Sequence, residues 1–161
     1  MDKIKIFLVE GADGVGKSTY CNQLCKKYNG IIHHVDGKFP NTLNEYSFLI
    51  SDLIKKAKSL NKQAIIFDRG WIGELVYGPK YRGTSRITRE EIKTIELYIA
   101  KQDCELKNIF IYNHPETILN IYKVRGETIA EHDLKAIEDI QNTFKTEFFK
   151  TCNMFTCIKT F

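Results

Sequence analysis

The chain of 161 residues has no long hydrophobic run. Its first apolar stretch, Ile4 to Val9, is interrupted by Lys5 and is too short for a secretory leader or a membrane span. The expectation is a cytoplasmic protein with no membrane partner. Metal-ligand spacing is also missing: the five cysteines are odd in number, with Cys21 and Cys25 one helical turn apart and Cys152 and Cys157 in a terminal apolar run. They read as small core or surface residues in a reducing compartment. No internal repeat, low-complexity segment or linker divides the chain, so residues 1–161 read as one domain with enough apolar content to bury a core. His33, His34, His114 and His132 fall in no pattern with an evident chemistry. A net charge of +4 and a pI of about 8.7 suit an anionic ligand, yet do not by themselves indicate nucleic acid.

What is present is concentrated near the start. Gly11-Ala12-Asp13-Gly14-Val15-Gly16-Lys17-Ser18-Thr19 follows the first apolar run with one residue between them, and an amphipathic stretch carrying Tyr20, Leu24 and Tyr28 comes after it. Glycines in such a loop let backbone N–H groups point at phosphates. Lys17 would neutralise β- and γ-phosphate charge and the Ser18 hydroxyl would reach Mg²⁺. The strand, loop and helix context makes this a nucleotide site.

Along the rest of the chain, strand-like and helix-like segments alternate. Strands are predicted at Lys3–Val9, Gly30–Val35, Gln63–Asp68, Lys107–Tyr112 and Met154–Lys159, and helices at Lys17–Tyr28, Thr42–Leu60, Trp71–Tyr77, Thr88–Cys104, Glu116–Val124 and Glu131–Lys150. Thr88 to Glu91 has capping-box spacing, and Pro115 sits where a first helical turn would begin. Residues from Gly78 to Ile87, with Pro79, Arg82, Gly83 and Arg86, read as an irregular loop. This succession predicts an α/β fold, a parallel sheet covered by helices on both faces, with ligands gathering at the carboxyl ends of the strands. One such end is Ile65-Ile66-Phe67-Asp68-Arg69-Gly70. A carboxylate there can reach Mg²⁺ or its water shell, and the neighbouring guanidinium can hold a phosphate in bidentate fashion. A plain loop ion pair is the competing reading.

Taken together, these motifs resemble the thymidylate kinase branch of the P-loop nucleoside monophosphate kinases. Glu10 to Thr19 matches that family's loop, Asp68-Arg69 with Tyr77 follows its Asp-Arg-to-aromatic spacing, and Ile109 to Tyr112 leading through Pro115, Glu116 and Leu119 to Lys123-x-Arg125-Gly126 is similar to its entry into the lid. The compact pattern from Asp68 to Gly83 is also similar to small kinase-like proteins of bacteriophages. The resemblance implies a three-layer P-loop NTPase sandwich with five parallel strands in the order 2-3-1-4-5. It further implies ATP as phosphoryl donor, Mg²⁺ as cofactor and a deoxynucleoside monophosphate, dTMP or a modified pyrimidine analogue, as acceptor. A homodimer is a family expectation. By the same resemblance, Gly11 through Thr19 and Lys123 would hold ATP, Ser18 and Asp68 the metal, Asp13 the acceptor sugar, Arg69 the acceptor phosphate, and Tyr77 the base or sugar. Arg125 would close over the γ-phosphate from the lid, about residues 113–130; a solvated helix end is the competing reading for Lys123 and Arg125.

The acceptor side, residues 34–40 and 68–86, departs from the family. His34-Val35-Asp36-Gly37-Lys38-Phe39-Pro40 stands where the family has Arg-Glu-Pro-Gly. Lys38 and Phe39 are either a phosphate contact and a stacking face or part of a turn built on Asp36-Gly37. Trp71 either stacks on the base or belongs to the core, and Glu74, Tyr81, Arg82 and Arg86 are further acceptor-side candidates. Gly73 and Gly78 replace side chains common in the family and predict a roomier pocket. Two alternatives stay open: a polynucleotide or DNA-base kinase with the same phosphate chemistry, which would bind nucleic acid, and a P-loop ATPase or nucleotide switch.

Overall fold

The computed structural model describes residues 2–126 and 134–160. Five parallel strands, β1 (Ile4–Glu10), β2 (Gly30–His34), β3 (Ala64–Asp68), β4 (Cys104–Tyr112) and β5 (Thr156–Lys159), form one sheet in the order β2-β3-β1-β4-β5. Around it lie α1 (Lys17–Lys27), α2 (Leu43–Ser59), α3 (Trp71–Arg82), α4 (Arg89–Lys101), α5 (Pro115–Val124) and α6 (Leu134–Thr151).

The central strands explain the layers. Strand side chains alternate between faces. Ile6 and Leu8 of β1, Ile65 and Phe67 of β3 and Phe110 of β4 pack with α2, α3, α4 and α6. Phe7 and Val9, Ala64 and Ile66, and Ile109 and Ile111 pack with α1 and α5 on the opposite face. Buried on both faces, these strands carry near-continuous apolar runs, as parallel sheets require. Arg89 of α4 and Glu147 of α6 add a fork of two hydrogen bonds, 2.8 and 2.7 Å long, over the first of these layers.

Local signals placed most boundaries. Thr42 and Thr88 cap α2 and α4, the latter as a full capping box with Glu91, and Pro115 opens α5. Two segments differ from expectation. The helix after Thr88 stops at Lys101, and β4 begins at Cys104, because Asp103 turns left-handed (φ 57°) and Cys104 comes directly into register with Ile4. Helix α3 runs to Arg82, through the segment read as a loop and past Pro79. Side chains on either side of Pro79 hold the turn: Tyr77 stacks on Tyr81 with ring centroids 5.9 Å apart, and Arg82 reaches back to Glu74. Gly83, at φ 78°, then ends the helix, and its amide bonds the Pro79 carbonyl at 3.1 Å. The expected start of the sixth helix at Glu131, along with His132 and residues 127–130 of the lid, lies outside the described residues. All five cysteines are free, and no helix among the described residues is long and apolar enough to cross a membrane.

Candidate active site

β1 delivers the loop. A side chain at Gly11 is ruled out by close approach, since a Cβ there would lie 2.3 Å from the Ile111 carbonyl oxygen. Val15, fully buried, pins the loop to the α1 and α5 layer, and Thr160 donates a 2.5 Å hydrogen bond to its carbonyl. Gly16, at φ 94°, caps α1, so Lys17, Ser18 and Thr19 sit at that helix's N-terminus. Aligned amides and the positive end of a helix favour an anion at this point.

Lys17 is 6% exposed, and its ammonium donates to the carbonyls of Gly11 and Ala12, each at 2.9 Å. Asp13 lies 4.0 Å away. Burial pulls the Lys17 pKa below its ordinary 10.5, while the negative charges of Asp68 and Glu10 push the other way. The ammonium is thus withdrawn from water and held in the loop by carbonyls it can exchange for phosphate oxygens.

Strand β3 brings the second group. Arg69 adopts a left-handed backbone (φ 67°), uncommon for a residue with a side chain, and its amide bonds the Val9 carbonyl at 3.1 Å. That turn sends its guanidinium across to Asp13, with which it pairs. Next to it, Ser18 Oγ donates to Asp68 Oδ2 at 3.0 Å, and His34 Nδ1 stands 3.5 Å from the same oxygen. Among the described residues, no cluster of three or more His, Cys, Asp or Glu side chains could cage a metal. A hydroxyl beside one carboxylate instead fits Mg²⁺, which keeps most of its shell as water and phosphate oxygen.

Two cavities meet here. The first, about 400 Å³, is lined by Asp13, Gly14, Gly16, Lys17, Ser18 and Thr19 of the loop, by His34, Asp68 and Arg69, and by Tyr122 and Arg125 at the end of α5. The second, about 220 Å³, lies between α3, the start of α2 and the segment after β2; Glu10, Tyr46, Glu74, Tyr77 and Arg82 are among its walls. Asp13 and Arg69 line both.

Most of the expected residues line these cavities, but Gly11 and Val15 of the loop, Arg86, Trp71, Lys38, Phe39 and Lys123 do not. Trp71 is fully buried, edge-on to Phe67 and Tyr46 with centroids 5.4 and 6.0 Å away, and lines neither cavity: it is a core residue. Lys38 and Phe39 sit in an exposed turn. The Lys38 amide bonds Asp36 Oδ1 at 2.9 Å, Asn41 Nδ2 bonds the Lys38 carbonyl at 2.8 Å, and the residues of this segment that face the second cavity are Val35, Asp36, Gly37 and Pro40. Tyr122 and Arg125, three residues apart, share a helix face toward the loop, whereas exposed Lys123 lies off that face and outside the cavity lining.

The roomier pocket expected from Gly73 and Gly78 is filled by other means. A Cβ on Gly73 would fall 3.0 Å from Glu10 Oε1, and one on Gly78 would fall 3.0 Å from both Arg82 Nη2 and Glu74 Oε1. The arginines of the expected loop are tied in as well. Arg82 pairs with Glu74, whose Oε1 also accepts from the Arg86 amide at 2.8 Å, and the Arg86 side chain bonds the Gly37 carbonyl at 2.8 Å.

Sequence reasoning missed Glu10, His34, Tyr46 and Tyr122. The one available signal was Glu10, a charge at the buried end of an apolar strand.

The sheet order and the loop between β1 and α1 define the P-loop NTPase fold. Solved structures agree. The chain is similar to the YorR protein of Bacillus subtilis in complex with phosphorylated GDP, with a TM-score of 0.69 and 21% identity over 96% of this chain and 85% of that one. It is also similar to deoxyadenosine kinase from M. mycoides with bound dCTP, with a TM-score of 0.54 and 17% identity over 96% of this chain and 89% of that one. The same kinase with bound dATP gives 0.51 and 18% over 98% and 90%. These likenesses establish the fold. No protein-family model and no curated protein sequence matches the chain.

Proposed function

We propose that the protein is an ATP-dependent kinase that transfers a phosphoryl group to a deoxynucleoside monophosphate, dTMP or a modified pyrimidine analogue in the first instance, giving the diphosphate. The observation that carries this reading is the wall shared by the two cavities, where Asp13 and Arg69 face a phosphate-side space and an acceptor-side space at once. Phosphoryl transfer needs two oxygens held in line and cations on the migrating group, with little covalent work from the protein. Lys17 and the loop amides bind the donor phosphates, Arg69 clamps the acceptor phosphate, and Arg125 adds positive charge from the lid side. Mg²⁺ held by Ser18 and Asp68 would neutralise charge between the β- and γ-phosphates. The kinase neighbours support the class of reaction.

The second cavity is smaller than the roughly 300–1,000 Å³ of most drug-sized sites, which favours a single nucleotide over a stretch of polymer. A deoxynucleoside acceptor is a second reading, favoured by the similarity to deoxyadenosine kinase. The test follows label from γ-labelled ATP with Mg²⁺ onto deoxynucleosides, deoxynucleoside monophosphates, ribonucleotides and DNA oligonucleotides. Label on a monophosphate supports the proposal. Label on a nucleoside or an oligonucleotide replaces it with that acceptor, and free phosphate alone reduces the protein to an ATPase.

A further inference from the structure

Glu10 is a buried carboxylate with one oxygen unmet. It is 1% exposed, its Oε1 accepts from the Gly70 amide at 2.6 Å, and its Oε2 has no hydrogen-bond partner. Few native side chains are left this way, because an unpaired polar atom out of water costs the full desolvation of that atom. The carboxyl also belongs to the wall of the second cavity, and not of the first. Gly73 packs against the carboxyl: any side chain there would begin 3.0 Å from Oε1 and 3.3 Å from Oε2.

We infer that Glu10 Oε2 reads the acceptor, taking a hydrogen bond from a donor that the acceptor buries in the second cavity. The donor is a sugar hydroxyl or an N–H of the base, the ring imide of thymine or uracil or an exocyclic amine; each supplies the O–H or N–H that Oε2 lacks. The inference rests on the proposed function, since it assigns the second cavity to the acceptor. Burial raises the Glu10 carboxyl, while the Gly70 and Gly73 amides and the positive charges of Lys17 and Arg69 pull toward the ionised form that accepts such a bond, so the comparison below is made at pH 8. A site built to pair with a donor rejects the analogue without it, because its own polar atom is then left bare.

Glu10→Gln tests this with the shape almost unchanged. The Gly70 amide still needs an acceptor, so the amide oxygen stays on it and the NH₂ group turns to the Oε2 position. The variant would present a donor where the wild type presents an acceptor, inverting the match.

The experiment measures kcat/KM and, by calorimetry without ATP, affinity for two pairs: a deoxynucleoside monophosphate against its 3′-deoxy counterpart, and dCMP against dUMP. The wild type is expected to favour, by about 10–100-fold, the 3′-hydroxyl member of the first pair or one member of the second, dCMP where Oε2 takes the exocyclic amine and dUMP where it takes the ring imide N–H. Which pair responds tells the sugar from the base. Glu10→Gln should lose that preference and keep its KM for ATP. A wild type indifferent within both pairs overturns the inference even if the variant fails to fold, and so does a folded variant with the wild-type preference. If no monophosphate or nucleoside takes label, the proposed function fails separately, and the calorimetric comparison still decides whether Glu10 reads a donor.

Discussion

Arg69 and Asp13, fifty-six positions apart in the chain, form an ion pair across the boundary between the two cavities. Each satisfies the other while a phosphate is absent. An acceptor phosphate would take the guanidinium from Asp13 and leave that carboxylate to the acceptor's hydroxyl. Arg69→Ala is therefore expected to lower kcat/KM for the acceptor by about 10²–10³-fold, the usual loss when a charge-stabilising donor is removed from a dry site. ATP affinity should change far less. Steady-state kinetics with each substrate varied in turn provides the check, and a defect confined to ATP would reverse the donor and acceptor assignment.

Lys17 has no comparable substitute. Its ammonium is held by the Gly11 and Ala12 carbonyls in a position that the backbone dictates. Lys17→Ala should reduce turnover by about three orders of magnitude or more, the scale on which cations acting on the migrating phosphoryl group contribute. The variant should remain folded, because an ammonium withdrawn from water is itself unfavourable. Circular dichroism beside a label-transfer assay separates the two effects; near-normal turnover would remove the loop from the mechanism.

The loop and the Asp68-Arg69 strand end were legible because each rests on local chemistry, whereas the sheet order came from the family resemblance. Glycine at Gly11 follows from a carbonyl 2.3 Å from where a Cβ would be, and the apolar runs of β1 and β3 follow from burial on two faces. The continuation of α3 was not legible, since Gly78-Pro79 is a breaker pair in any local reading and only the Tyr77–Tyr81 stack and the Glu74–Arg82 pair overrule it. Lys123 and Arg125 looked alike in sequence, and only helix phase told them apart. Glu10 shows the same limit from the other side. Its role depends on which backbone amides and which cavity come to it.

Trp71, read as either a stacking platform or a core residue, gives a clear test of that difference. Its indole Nε1 is buried without a hydrogen-bond partner. Trp71→Phe removes packing area and an unmet donor together, so the two effects oppose one another and the net loss should be about 1–2 kcal/mol. Trp71→Ala should cost about 3–5 kcal/mol. Acceptor KM should stay unchanged in the Phe variant. Urea denaturation supplies the first pair of values and kinetics the last; a large rise in acceptor KM at full stability would return Trp71 to the binding site.

Burial also raises the Glu10 carboxyl from its ordinary 4.5 to about 7, against the opposing pull of the Gly70 and Gly73 amides and of the charges on Lys17 and Arg69. The folded protein keeps this proton over an interval in which the unfolded chain has already lost it. Stability from this group is therefore full below about pH 4.5 and falls as pH rises toward 7, and above that it stays at the lower value. The interval corresponds to about 3 kcal/mol. Glu10→Gln has no proton to lose there, so the stability of the wild type relative to the variant should drop by about that amount between pH 4.5 and pH 8. Urea midpoints for both proteins across this range measure it directly, with titrating groups remote from Glu10 cancelling in the difference. A flat difference would mean that the carboxyl titrates alike in the folded and unfolded chain, so that burial does not hold its proton.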